Sequence, residues 1–427
     1  MERLKVINFL TVESADIEVR KINLFIGKQA QGKSVVAKLL YFFKNSFGEQ
    51  YSESIQDLSN KREFDKALAV RFEQIFPRYT WDGTEFSVVY EWEDFEILVQ
   101  SPSGKSSQLR VTYCQKLIDI FRRLKSSYKI ALEQLDEDIS KKSTHRAVRD
   151  RDSVYWEVVG DKLFSDKFFP FNRSIFVPAS RSFFANLQKN VFSFLASNID
   201  IDPLIKNFGS RYENSKRLYS NSYWINRQDE KYRRKVEALV RDIAVGDYEY
   251  KDEKDWIRNG SKSVNLANAS SGQQESIPML LILSIWPSVF SESTASFFIE
   301  EPEAHLFPIA QKSIISLIST IMGTYGHQFF ITTHSPYVLT AINNLILAGD
   351  AFAAVDPGSK AEKKLDKIVD RVESIAFEDV AAYTIQDGRF IDISDAELRL
   401  LGSSVLDEVS DSFERVFDAL SESLYKR

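Results

Sequence analysis

One cysteine, Cys114, occurs in the 427 residues. A single thiol excludes an intrachain disulfide and fits a reducing compartment, so a cytoplasmic location is expected. The four histidines form no Cys/His cluster with metal-ligand spacing, which excludes a zinc-type centre. No run of eighteen apolar residues is present, so no membrane span or membrane partner is expected. The opening Met1-Glu-Arg-Leu-Lys5 lacks a signal-peptide pattern. Internal repeats, low-complexity linkers and heptad runs long enough for a coiled-coil arm are all missing. A hydrophobic content of 44% and a charged content of 27% describe a soluble globular protein, and a net charge of −6 excludes one that is a basic nucleic-acid binder throughout.

Against these absences stand four short segments in a fixed order. The first, Gly27-Lys-Gln-Ala-Gln-Gly-Lys-Ser34, fits G-x-x-x-x-G-K-[ST]. It follows the apolar run Ile22–Ile26, which reads as a buried strand, and precedes Val35–Phe43, which reads as a helix. In that context the backbone N–H groups of Gly27, Lys28, Gln29, Ala30, Gln31 and Gly32 surround phosphates, with the partial positive charge of the helix start behind them. Lys33 reaches the outer phosphates and Ser34 binds Mg²⁺. The pattern predicts ATP as the ligand.

The third segment, Phe297–Glu303, is a strand that ends in two adjacent carboxylates. Beside a phosphate loop, Glu300 is expected to hold the Mg²⁺ shell and Glu301 to orient or deprotonate the attacking water. Glu300 is one methylene longer than the aspartate usual at that place, which suits coordination through a bound water. The fourth segment, Gly326–His334, is another strand, and it delivers His334 next to the γ-phosphate. The second, Ser270-Ser271-Gly272-Gln273, opens a strongly apolar helix and reads either as a second anion site or as an ordinary helix cap. His305 is expected at a subunit seam, and His145 and His327 in solvent.

Together these residues resemble the ABC-type ATPase heads of the SMC, RecF and overcoming-lysogenization-defect group. The resemblance covers about residues 1–45 and 262–345. It implies an α/β fold: a P-loop head with a mixed sheet, here with a compact helical insertion and a small α/β C-terminal extension. It also implies a dimer or higher oligomer in which Ser270, Ser271, Gly272 and Gln273 of one copy close on the ATP of the other. Glu303 to Leu306 would match the loop that crosses that seam. Gln115, after a strand-like stretch, is the candidate for the glutamine that touches Mg²⁺ in such heads. Within the group, Gly-x-Gln-Ala-x-Gly-Lys-Ser, Ile299–Pro308 and Phe176-Val-Pro-Ala-Ser-Arg181 are similar to ATPases of anti-phage systems of the PARIS type, with the Septu type next. That likeness implies a separate effector nuclease of the Toprim type, triggered by a phage protein such as a DNA mimic. Asp392, Asp395 and Glu397 read as a helix entry, so no nuclease is expected in the residues after His334.

The layout divides into 1–113, the first ATPase lobe with a hairpin over 85–100; 114–170, a charged helical insertion; 171–261, a return strand at Ser174–Val177 and a second helical region; 262–345, the rest of the core; and 346–427, the extension, with a strand pair near 382–391 and an amphipathic helix over 407–424. Basic residues gather in two stretches: Arg122, Arg123, Lys125 and Lys129 with Lys141 to Arg151, and Lys231 with Arg233, Arg234 and Lys235. They read as solvated helix faces or as a contact for nucleic acid or an acidic protein. The second reading supports an alternative function, an ATP-dependent DNA-repair ATPase of the RecF kind.

Overall fold

The computed structural model describes residues 1–101, 109–140, 150–163, 171–187, 201–220 and 228–402. Its centre is one eleven-stranded mixed sheet. In chain order the strands are β1 (Glu2–Phe9), β2 (Val12–Val19), β3 (Ile22–Ile26), β4 (Phe86–Trp92), β5 (Phe95–Ser101), β6 (Arg110–Tyr113), β7 (Ser174–Val177), β8 (Asp247–Lys251), β9 (Lys254–Asn259), β10 (Lys262–Asn265), β11 (Ser296–Glu300), β12 (Gln328–Thr333), β13 (Val380–Gln386) and β14 (Arg389–Asp392). The sheet runs β6-β5-β4-β1-β2-β14-β13-β3-β12-β11-β7. The half from β13 to β7 is parallel and the half from β6 to β2 is antiparallel.

Alternation along the parallel strands divides the core. Leu24, Phe297, Ile299 and Ile331 point into the face covered by the helices Ser271–Val289, Pro308–Tyr325 and Pro336–Ala353. Phe25, Phe298 and Phe330 point to the other face, under the helix Lys33–Tyr41 and its continuation to Gln56. There Phe298 and Phe330 stack at 4.3 Å, and Tyr41 meets Phe298 edge-on at 5.5 Å. The aromatic layer ties the phosphate-loop helix to the two strands that carry the acids and His334. Parallel pairing also aligns the strand ends: Ile26 is level with Thr333, and Glu300 with Thr332. Three of the four segments therefore leave the sheet along one edge, where ligands of open parallel sheets bind.

Three features differ from the sequence reading. The strands of the supposed C-terminal extension lie inside the sheet, with β13 beside β3 and β14 beside β2. The β13–β14 turn, Asp387-Gly388, has both residues in the left-handed region, the geometry that an Asp-Gly hairpin selects. Second, the region before Ser270–Gln273, the signature segment that opens the signature helix, is not all helix. After the helices Pro203–Tyr219 and Glu230–Ala244, β8, β9 and β10 form a separate antiparallel sheet. Third, Asp392 ends β14, and Asp395 accepts from the N–H groups of Glu397 and Leu398 in a turn, so no helix begins there. The stretch 407–424 lies outside the described residues. Among the described residues no helix is long and apolar enough to cross a membrane.

Candidate functional site

The phosphate loop leaves β3 at Ile26 and turns into the helix at Lys33. Gly32 sits at φ 104°, which disfavours any residue with a Cβ. A Cβ there would fall 2.8 Å from Val12 and 2.9 Å from Thr11, so the β1–β2 turn also closes the position sterically. Lys28, Gln29 and Ala30 are exposed, as is Ser34 on the first turn of the helix. Lys33 is buried and donates to the carbonyls of Gly27 at 2.7 Å and Lys28 at 2.6 Å. Burial pulls its pKa down to about 8, opposed by the charges of Glu301 and Glu303.

His334 stands between the loop and the acids. Its Nδ1 lies 2.8 Å from the Gly27 carbonyl and 3.2 Å from Lys33 Nζ, and its Nε2 lies 2.8 Å from Glu301 Oε1. An ionised carboxylate only accepts, so Nε2 carries the hydrogen toward Glu301; in the neutral ring Nδ1 then accepts from the Lys33 ammonium, which also donates to the Gly27 carbonyl, and Nδ1 itself makes no hydrogen bond to that carbonyl. Glu301, Glu303, His334, Lys33 and Gly27 are thus one connected set. Glu303 was expected only at a subunit seam. Its Oε1 accepts from Thr333 Oγ1 at 2.6 Å and from the His334 N–H at 2.7 Å, which fixes where the histidine leaves its strand. Its other oxygen is buried without a hydrogen-bond partner.

Glu300 is buried at the tip of β11, and Glu301 follows at φ 44°, an uncommon conformation for a residue with a side chain. Arg181, fully buried, holds both backbones. Its Nη1 donates to the Glu300 carbonyl at 2.6 Å and its Nη2 to the Glu301 carbonyl at 2.9 Å. Its Nε donates to the Glu275 carbonyl, and its backbone N–H to the Glu275 carboxylate, both at 3.0 Å. Burial lowers the Arg181 pKa while Glu275, Glu303, Glu300 and Glu301 raise it, a guanidinium kept charged by four acids. The sequence reading used Arg181 only as a motif letter and passed over Glu275. A carboxylate leading directly into the buried run Ser276–Ile285 was the available signal, since such a group needs a partner.

Ser270 caps the helix Ser271–Val289. Its Oγ accepts from the Gln273 N–H, and Gln273 Oε1 accepts from the Ser270 N–H. Ser270 and Ser271 are exposed, and a Cβ on Gly272 would fall 2.7 Å from the His305 carbonyl. His305 is itself exposed. Gln311 joins this rim to His334's helix: it donates to the Leu306 carbonyl and accepts from Ser335 Oγ. The second segment therefore adjoins the loop that continues the third, the third binds the fourth, and the fourth binds the first.

Two expectations need correction. Gln115 opens the helix Gln115–Ser140 and donates to Asp119, exposed. Six strands separate β6 from β3, and Tyr113 lies near the end of the sheet where β1 starts, opposite the phosphate loop. Gln115 cannot reach a metal held at Ser34. His327 is buried, not solvated: its Nδ1 accepts from the Ala295 N–H and its Nε2 contacts the Pro287 carbonyl. His145 lies outside the described residues.

The donor set fits a polyphosphate with a divalent cation. A buried ammonium is turned toward loop carbonyls, an exposed hydroxyl lies in the first turn of the helix, and carboxylates, one with an unpartnered oxygen, are supplied by the end of β11 and the loop after it. Lys33 and the loop N–H groups would hold ATP; Ser34 and Glu300 would hold Mg²⁺, which supplies charge neutralisation at the transferred phosphoryl group. Because phosphates favour the charged Lys33, nucleotide binding should take up a proton above pH 8. ATP affinity should therefore fall as pH rises through about 8, by up to about tenfold per unit. Calorimetry in buffers of different ionisation enthalpy reads that proton directly, and a flat affinity from pH 7 to 9.5 would remove Lys33 as the linked group.

The chain matches the AAA ATPase domain family over residues 1–165 and 173–339. Among solved structures it is similar to the SMC head domain from Thermotoga maritima, at 10% identity over 92% of this chain and 97% of that one, TM-score 0.36. It is also similar to the Smc head domain with an extended coiled coil bound to the C-terminal domain of ScpA, from Pyrococcus furiosus, at 10% identity over 97% and 100%, TM-score 0.38. A further match is the recombination mediator protein RecF of the RecFOR pathway, at 11% identity over 92% and 97%, TM-score 0.32. No curated protein matches the chain significantly. With most of its length inside the family match and the phosphate loop, acids and histidine joined as described, the chain belongs to the AAA ATPase domain family and is an ATP-hydrolysing enzyme.

Proposed function

We propose that this ATPase is a nucleotide-driven switch of the SMC/RecF type whose copies close on ATP and so control a separate effector nuclease in cytoplasmic anti-phage defence. The observation that carries the switch is the line Glu301–His334–Lys33. It places a water-orienting carboxylate in contact with a residue that also touches the phosphate-loop lysine, so loss of the γ-phosphate is felt at both. Closure with a second copy is supported by the rim. Ser270 and Ser271 are exposed at a capped helix start, and Phe307 and Ile309 are 78% and 74% exposed beside the same edge. Large apolar side chains left in water next to a catalytic site suit an interface.

The defence role rests on the resemblance of Phe176–Arg181 and Ile299–Pro308, and Arg181 and Glu301 of those motifs are central to the site. The DNA-repair reading drew on the basic stretches. Several of those charges are paired within the chain: Arg122 with Asp119, Lys129 with Glu133, Arg233 with Glu237, Arg234 with Glu230, and Lys235 with Asp370 and Glu373. Residues 141–149 of the first stretch lie outside the described residues.

The test is purification of Glu301→Gln from its native host with Mg-ATP present. A co-purifying nuclease is the expected result. Nucleic acid alone, held in a way that weakens steeply with salt, would replace the defence reading by the repair one.

A further inference from the structure

Apart from local bonds, to the Pro178 carbonyl and through its own backbone to Ala179 and Phe184, the hydrogen bonds of Arg181 run to the two things that must agree. One is the signature helix, through both the carboxylate and the carbonyl of Glu275, one turn from Ser271. The other is the backbone of both acids, through the carbonyls of Glu300 and Glu301. A guanidinium is planar and its donors are fixed in a fork. It cannot follow a shift of Glu275 without moving the carbonyls at its other end or losing bonds to them. Full burial removes water as a substitute partner. Glu301, with φ 44°, is the part of this assembly with least conformational slack.

We infer that Arg181 is a positioning residue through which the signature helix of a chain sets the catalytic acids of that same chain. The inference rests on the reading that Ser270 to Gln273 engage the nucleotide of a second copy. Under it, each signature works twice: it contacts the partner's ATP, and through Arg181 it reports that contact to its own Glu301. The two nucleotide sites are then coupled by a rigid link inside each chain.

The first measurement is Arg181→Lys in the full-length chain. An ammonium cannot span four acceptors in two directions. Turnover should fall about 10- to 100-fold while nucleotide affinity and the ATP-induced dimer, read by light scattering, stay unchanged. Unchanged turnover overturns the proposal. The second uses dimers isolated with two tags, one chain wild type and one carrying Ser270→Arg. The blocked signature silences the site of the wild-type chain. Without the link, the other site keeps an intact signature and runs at about half the rate of the wild-type dimer. With the link it also fails, because its own signature engages nothing, and the mixed dimer should retain about a tenth or less of wild-type turnover. Half-rate turnover overturns the proposal, and because Arg181 is intact in these chains the result holds even if Arg181→Lys does not fold. Should Glu301→Gln form no dimer with Mg-ATP, the two-copy site itself is wrong and the inference falls with it; a dimer with half-rate mixed species removes the inference alone.

Discussion

Glu301→Gln should bind Mg-ATP as tightly as the wild type and turn it over about 100- to 10,000-fold more slowly. The exchange is nearly isosteric, and a glutamine oxygen still accepts from His334 Nε2, so the 2.8 Å contact survives. The unusual backbone at residue 301 survives as well, because Arg181 and the bond from the Glu301 N–H to the Thr332 carbonyl hold it from the main chain. What is lost is a carboxylate able to take or orient a proton of water. Phosphate release under single-turnover conditions, with binding of a fluorescent nucleotide alongside, separates chemistry from affinity. Turnover within threefold of wild type would leave Glu301 with no catalytic task and return the question to Glu303, whose buried oxygen has no hydrogen-bond partner.

The largest loss of stability should come from Asp255→Ala, about 3–5 kcal/mol by chemical denaturation. Asp255 is fully buried on β9 and accepts from Tyr212 and Tyr248, with the equally buried Lys216 ammonium 3.0 Å away. Truncation leaves two phenols without their acceptor inside the protein and leaves the buried Lys216 with Glu213 alone, 2.8 Å away. Asp255→Asn should fall between, because an amide oxygen satisfies a tyrosine but does not offset the charge. A loss under about 1 kcal/mol for the alanine variant would mean that water enters and replaces the carboxylate. The site would register the damage. β9 pairs with β10, and β10 leads through Leu266–Asn268 straight to Ser270. On the other side, Ser215 of the same helix as Lys216 accepts from Trp286 in the signature helix.

What could be read from the sequence was what is local. Ile22–Ile26 with Gly27–Ser34, the strand ending in Glu300, and the strand ending before His334 each carry their own apolar run and their own punctuation, and the structure has strands there. The return strand Ser174–Val177 and the hairpin near 85–100 were legible for the same reason. The misreadings are non-local. Gln115 follows a strand as expected, but nothing within a dozen residues says which end of the sheet that strand ends at. β8 alternates Asp, Glu and Lys with Tyr, but β9 sets Trp256-Ile257 among Lys, Asp, Arg and Asn, and after a charged helix this composition reads as more helix. Arg181 and Glu275 find each other across 94 residues, and Arg181 reaches the acids about 120 residues on, so no spacing rule connects them. β13 is legible as a strand, but nothing near Ala381 and Ala382 says that it pairs with β3 in mid-sheet rather than lying in an extension. Those small side chains suit a strand packed tightly in mid-sheet, where both are buried.

That central place of β13 bears on how the protein is made. The strand that launches the phosphate loop emerges among the first thirty residues, yet its two lateral neighbours are β12 and β13. Until the ribosome has passed Gln386, β3 has a bare hydrogen-bonding edge. At about 5–20 residues per second that interval is on the order of tens of seconds. A newly made chain should therefore lack a fully paired phosphate-loop strand, and bind nucleotide weakly, until nearly all of the described protein exists.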